Sequence, residues 1–192
     1  MKNGDSYHKG ANMKWVLALI ALLSLSGCFL SDRPLLEGEP AVPLLPEGDV
    51  SAHVLLPGQP NPDKIFQVSL LGDNSYRVEA AGERTTNWRF VIIEKGIYVL
   101  SIGSTEGDTG YYLAKPADDH TIRIQLIRVT AKVGDAAVAS GAECLNFPRN
   151  PSSPDLPVMC KFSTKASLLA VLAIAATGPA ATVDMLDLKQ KK

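Results

Sequence analysis

The feature that most constrains the fold is a series of short runs between residues 51 and 129 in which apolar and polar side chains alternate. Alternation with a period of two is typical of strands that bury one face. Turn-forming residues interrupt the runs about every 8 to 12 residues, the spacing of an all-β sandwich or barrel. Connections this short join antiparallel strands, because a parallel pair needs a long crossover. The sequence therefore predicts an antiparallel meander.

Seven strands are predicted in this region. They span residues 51–56, 64–71, 76–80, 87–92, 97–102, 111–115 and 121–129. One face of these strands is apolar, whereas the other carries Arg77, Glu79, Arg89 and Arg123. We therefore expect one solvated face, as antiparallel sheets commonly have. The predicted fold class is mainly β, an antiparallel meander that forms a small barrel or sandwich with a C-terminal α-helix.

The sequence changes character after the last of these strands. Residues 142–160 are rich in proline and are predicted to form an irregular loop. A helix is predicted from a cap at Ser163 or Thr164 to about Ala176, and its apolar side is expected to pack on the sheet. Its apolar run is shorter than the roughly 20 residues that span a bilayer. Residues 183–188 fit a short helix or a strand equally well.

The N-terminal stretch Met13 to Leu30 reads as an export signal. Lys14 supplies a basic start, residues 15–25 form an apolar run, and Ser26-Gly27 are the small residues that precede a cleavage site. The apolar run is too short to span a bilayer comfortably. We therefore predict that residues 1–27 are a signal peptide that is removed.

The end of this leader, Leu25-Ser26-Gly27-Cys28, resembles the lipobox of bacterial lipoproteins. The resemblance implies that Cys28 carries a diacylglyceryl group on its sulfur, that the chain is cleaved before this residue, and that the new amino group is acylated. Two or more acyl chains anchor a protein stably, whereas one binds a membrane only marginally. The alternative is an ordinary cleaved signal peptide with an incidental cysteine.

The residue after the cysteine bears on the location of the protein. Phe29 stands where enterobacterial lipoproteins that stay in the inner membrane carry Asp, so the resemblance favours a periplasm-facing position on the outer membrane. Residues 1–12 are polar and ill-suited to precede a signal peptide. Met13 is therefore the predicted translation start.

Three parts of the chain are expected. Residues 1–27 form the signal peptide, residues 28–49 form the lipidated N-terminus and a Pro-rich tether, and residues 50–192 form a single β-rich domain. The tether is predicted because its four prolines fix φ and remove hydrogen-bond donors. Removing 27 of the 192 residues leaves 165, which suits one domain.

The charge and the cysteines limit the function further. Cleavage removes three lysines and one aspartate, so the net charge changes from −1 to −3, and no nucleic-acid partner is expected. Cys144 and Cys160 remain as an even pair in an exported chain, where disulfides persist. They are predicted to bond to each other, the alternative being two unpaired buried thiols. Closing a 15-residue loop is worth about 3 kcal/mol.

The sequence shows no catalytic or metal-binding motif. A phosphate-binding loop, a serine elbow and an H-E-x-x-H pattern are all missing, and His53 and His120 lie in no recognisable motif. A zinc site is not expected either, because CxxC spacing is missing. We therefore predict no enzyme activity and no cofactor apart from the covalent lipid.

The aromatic residues leave two interpretations open. Those on predicted strands could line a pocket for a small apolar ligand, although core packing is the commoner use. Tyr111 and Tyr112 are adjacent on a strand, so they face opposite sides and one is expected to be exposed. This pair is the predicted partner surface. The predicted function is a membrane-anchored envelope lipoprotein that acts as a non-catalytic binding or assembly module on an unknown envelope protein or small ligand. The alternative is a lipocalin-like carrier of a small apolar ligand.

Overall fold

The computed structural model describes residues 29–55, 64–103, 107–127, 129–145, 159–178 and 182–190, which form eleven strands and two helices. The strands are β1 (Phe29–Ser31), β2 (Gly48–Val54), β3 (Lys64–Leu70), β4 (Tyr76–Glu79), β5 (Thr86–Glu94), β6 (Ile97–Gly103), β7 (Thr109–Asp118), β8 (Thr121–Ile127), β9 (Glu143–Leu145), β10 (Met159–Lys161) and β11 (Thr182–Gln190). The helices are α1 (Ala131–Ala139) and α2 (Lys165–Thr177).

Eight of the strands form a closed antiparallel barrel. Strands β2 to β8 pair in chain order, each with the next, as in a simple meander. The last strand, β11, pairs with β8 on one side and with β2 on the other, which closes the ring. The predicted mainly β class is therefore confirmed, and the meander forms a barrel.

The predicted elements are found with small changes in their bounds. All seven predicted strands are present, and the strand predicted at 111–115 extends to Thr109 and Asp118. Helix α2 is confirmed, with Thr164 as its N-cap, whose hydroxyl accepts a hydrogen bond from the Ser167 N–H. Residues 183–188 belong to strand β11. Helix α1 and strands β1, β9 and β10 were not predicted.

Side chains that point into the barrel form one hydrophobic core, which we call the barrel core. Its buried members are Leu45, Val50, Ala52, Val68, Tyr76, Val78, Trp88, Phe90, Leu100, Tyr112, Ala114, Ile122, Ile124, Leu126, Met185 and Leu188. Aromatic rings contact one another here, with ring centroids 6.1 Å apart for Tyr76 and Phe90 and 5.7 Å apart for Phe66 and Trp88. An eight-stranded barrel is just wide enough for side chains to fill.

A second core lies outside the barrel, and we call it the outer core. Outward-facing side chains of β5 to β8 pack there against α1, α2, β1 and β10. Among its buried members are Val91, Tyr111, Val133, Leu168 and Leu172. The expectation of one solvated face is therefore wrong on this side of the barrel, because the helices cover it. On β4, in contrast, Arg77 and Glu79 are exposed as expected.

The described part of the predicted tether packs against the barrel. Phe29 and Leu36 are buried in the outer core, and Leu45 is buried in the barrel core. Ala41 forms a β-bridge with Val91. The prediction of a free spacer is therefore wrong for residues 29–49. Prolines favour an extended chain, but they do not decide whether that chain is free or docked.

Two buried tyrosine hydroxyls hold this N-terminal segment. The hydroxyl of Tyr111 lies 2.7 Å from the Ser31 Oγ and accepts a hydrogen bond of 2.9 Å from the Leu35 N–H. The hydroxyl of Tyr76 accepts from the Leu45 N–H at 3.0 Å and donates to the Leu45 carbonyl at 2.9 Å. Burial raises the pKa of both tyrosines, so both remain neutral hydrogen-bonding groups.

The disulfide predicted between Cys144 and Cys160 is confirmed. The two cysteines are directly opposite each other in the antiparallel pair β9–β10. The paired strands extend the sheet, because β10 runs parallel to β1 and β1 runs antiparallel to β7. The disulfide therefore fixes the outermost strand of an extension that begins at the N-terminal segment.

The tyrosine contacts generate a stability prediction. Replacing Tyr111 or Tyr76 by Phe leaves backbone groups of the N-terminal segment without a partner, so each change is expected to lower the free energy of unfolding by about 1–3 kcal/mol. Urea denaturation followed by circular dichroism measures this difference. Tyr98→Phe is the matched control, because its half-buried hydroxyl has no hydrogen-bond partner within the described ranges. An equal loss in all three variants would contradict the proposed role of the hydroxyls.

Candidate functional site

A cleft of about 410 Å³ lies on the outside of the barrel and is bordered by three parts of the chain. The N-terminal segment forms one wall, the β3–β4 turn forms the other, and residues of β5, β6 and the start of β7 form the floor. Its lining residues are Pro34, Glu37, Leu71, Gly72, Asp73, Ser75, Asn87, Trp88, Arg89, Ser101, Gly103 and Thr109. The cleft exists because the N-terminal segment docks on the barrel, so we take it as the candidate site.

Arg89 on β5 joins the two walls of the cleft. Its Nη1 donates a hydrogen bond of 3.0 Å to the carbonyl of Glu39 in the N-terminal segment. Its Nη2 forms an ion pair with the carboxylate of Asp73 in the β3–β4 turn. The Arg89 side chain is only 12% exposed, whereas that of Asp73 is 55% exposed. Arg89 therefore positions the walls, and Asp73 presents a carboxylate to solvent.

The turn that carries Asp73 has a well-defined structure. The hydroxyl and the backbone N–H of Ser75 both donate to the Asp73 Oδ1, at 2.5 and 3.1 Å. Asn74 adopts a left-handed conformation with φ of 61°, which asparagine tolerates better than most residues. The Ser75 hydroxyl, the Ser75 N–H and the charge of Arg89 together hold the pKa of Asp73 below its ordinary value.

The composition of the lining indicates what the cleft can bind. The positive charge of Arg89 is matched by Asp73, and Glu37 adds a negative charge at the rim. Neutral donors and acceptors come from Ser75, Asn87, Ser101 and Thr109. Mixed polar groups of this kind suit a polar partner that is close to neutral, since a strongly charged ligand would meet charges of both signs.

The predicted partner surface at Tyr111 and Tyr112 is wrong. The two side chains do point to opposite faces of β7, but both are buried. Tyr112 points into the barrel core, and Tyr111 points outward beneath the N-terminal segment. Neither tyrosine is exposed, because both faces of β7 are covered at this point.

His53 and His120 lie in separate parts of the barrel. His120 is exposed in the β7–β8 turn, where its backbone N–H donates a hydrogen bond of 2.8 Å to Asp118 and lowers the pKa of that carboxyl. His53 is exposed on β2, opposite Asp187 on β11. Both oxygens of Asp187 accept hydrogen bonds from Arg123, at 2.8 and 3.1 Å. The Asp187 carboxylate therefore forms an ion pair with Arg123.

Within the described part of the chain, three or more His, Cys, Asp or Glu side chains do not come together as metal ligands would. Neither helix there has both the length and the apolar character needed to cross a membrane. Cys28, the predicted lipidation site, lies outside the described residues.

Comparison of the chain with protein-family models, curated proteins and solved structures finds no match. From the sequence, Arg89 is expected on the polar face of its strand, and residues 72–75 connect two predicted strands. The convergence of these parts was not predicted, because the third partner is the segment that was expected to be a tether.

The turn at Asp73 generates a titration prediction. Because the pKa of Asp73 is lower in the folded than in the unfolded chain, its ionised form stabilises the fold above the ordinary value of 3.8, and that contribution is lost as the pH falls through the folded value. The Ser75→Ala change removes the largest cause and is expected to raise the Asp73 pKa. Carboxyl-carbon NMR titration measures it. Asp118 is the internal control, because its own shift depends mainly on the His120 N–H and should not change. An unchanged Asp73 pKa in the variant would contradict the assignment.

Proposed function

We propose that this protein is a membrane-anchored lipoprotein of the bacterial envelope that acts as a non-catalytic binding or assembly module. The structural observation that carries the export step is the Cys144–Cys160 disulfide, because such bonds persist in oxidising compartments and are rare in the cytosol. The leader that ends in Leu25-Ser26-Gly27-Cys28 supports export as a signal peptide, and it contains the residue that we propose is acylated. Phe29 in place of Asp supports an outer-membrane position that faces the periplasm.

The outer cleft is the proposed binding site of the module. It has a preformed shape, because Arg89 ties both of its walls together. Its mixed polar lining supports a close-to-neutral polar partner, either a small ligand or a segment of another envelope protein. A lipocalin-like carrier of an apolar ligand is less well supported, since buried side chains from all eight barrel strands, including Tyr76, Trp88 and Phe90, pack together in the interior.

The anchor proposal is tested by metabolic labelling. Cells that express the full chain are grown with labelled palmitate, and the purified protein is expected to carry label. The Cys28→Ala variant should lose the label, whereas a Cys144→Ala/Cys160→Ala double variant should keep it. Label that survives in the Cys28→Ala variant would overturn the assignment of the lipid to this residue.

The cleft proposal is tested by photo-cross-linking in intact cells. A benzophenone amino acid at Asn87, an exposed residue of the cleft floor, is expected to trap a partner that mass spectrometry identifies. The matched control carries the same group at Glu79, which is exposed on the neighbouring strand β4 but does not line the cleft. Adducts of equal yield and identity at both positions would contradict a specific site.

A further inference from the structure

The chain is fixed in the sheet from the first residue after Cys28. Phe29 pairs with Cys160 in β10 and with Tyr111 in β7, and its side chain is completely buried. Its ring lies edge-on to that of Phe162, with centroids 4.9 Å apart. The next residue is held as well, because the Phe162 N–H donates a hydrogen bond of 2.8 Å to the Leu30 carbonyl. Phe29 therefore has no freedom to act as part of a spacer.

This attachment leaves very little distance between a lipid on Cys28 and the folded domain. Consecutive Cα atoms are about 3.8 Å apart across a trans peptide. A lipid on Cys28 is therefore joined to the start of β1 directly. Residues 29–49, which were predicted to form a tether, pack against the barrel and therefore do not lengthen the connection between Cys28 and the domain. The start of β1 must then lie at the membrane surface.

Apolar side chains are present at this same end of the sheet. β10 runs parallel to β1 in a register that pairs Phe29 with Cys160, so the start of β10 at Met159 lies at the Cys28 end. Leu145, the last residue of β9, is opposite Met159. The Leu145 side chain is 59% exposed, and Met159 is partly exposed. Among the described strands, β9 is the outermost strand at this end of the sheet.

From these positions we propose that the β1–β10–β9 end of the sheet rests on the lipid bilayer and that Leu145 enters its interface. This inference rests on the proposed lipid anchor and adds an orientation to it. An exposed leucine is stabilised when its apolar surface is removed from water, which favours contact with the bilayer once the anchor brings it close. The domain is then held in one orientation.

Tryptophan fluorescence in vesicles tests this orientation. The full lipidated protein carrying Leu145→Trp is reconstituted in vesicles of phosphatidylethanolamine and phosphatidylglycerol, with and without bromine on the acyl chains. Bromolipids quench only a tryptophan that reaches the bilayer, and Trp88 is buried in the barrel core. The matched control is Ile92→Trp, at an apolar side chain that is 53% exposed on β5. We expect quenching at position 145 to exceed that at position 92 several-fold.

A spacer variant and a mass measurement separate the outcomes. Ten Gly and Ser residues inserted between Cys28 and Phe29 should abolish the difference between the two positions, because the domain is then free to turn. Intact mass shows whether the lipid is attached. Equal quenching at both positions in a chain with its lipid overturns the orientation but leaves the anchor standing. A chain without lipid overturns the anchor and the orientation together.

Discussion

Closure of the barrel by the C-terminal strand is the constraint on which both hydrophobic cores depend. β11 is hydrogen-bonded to β8 and to β2, so the ring is complete only when the end of the chain is in place. Its Met185 and Leu188 enter the barrel core, while Asp187 binds Arg123 on the outer surface. Between β8 and β11 the chain makes α1, β9, β10 and α2. This insertion begins and ends on neighbouring strands, and its described helices and strands pack on the barrel in the outer core.

The N-terminal segment completes both cores and creates the cleft. It gives Leu36 to the outer core and Leu45 to the barrel core, and its carbonyl at Glu39 accepts a hydrogen bond from Arg89. A barrel without this segment would present its β5–β6 surface as an open sheet. The cleft therefore forms only when the N-terminal segment docks on the barrel. The two tyrosine hydroxyls that hold this segment also preserve the shape of the cleft.

Local sequence patterns predicted the strands of the barrel. The features that were not predicted depend on contacts between residues that are far apart in the sequence. The period of two is clear in the sequences of β3, β4 and β8, whereas successive residues of β6 and β7 are buried and these strands were recognised from their β-branched and aromatic residues. In β11 a bulge between Asp184 and Leu186 breaks the alternation, so a helix fitted equally well. β1 has only three residues, and the residues it pairs with are about 80 and 131 positions away. The docking of the predicted tether depends on Tyr76 and Tyr111, which no local pattern connects to it. Arg89 was expected on the polar face, but its contacts with Asp73 and with the N-terminal segment were not predicted.

If the chain is exported as proposed, the long separation between β1 and its partners also sets an order of folding events. A chain that crosses a membrane from its N-terminus presents Phe29–Ser31 first, whereas residues 109–111 and 160–161 follow much later. Until then the first strand has nothing to pair with. If Cys28 is acylated as proposed, the modifying enzymes meet it before β1 is fixed in the sheet, and the later arrival of β7 and β10 ends that interval. On this proposal, the timing of translocation decides when the residue is accessible.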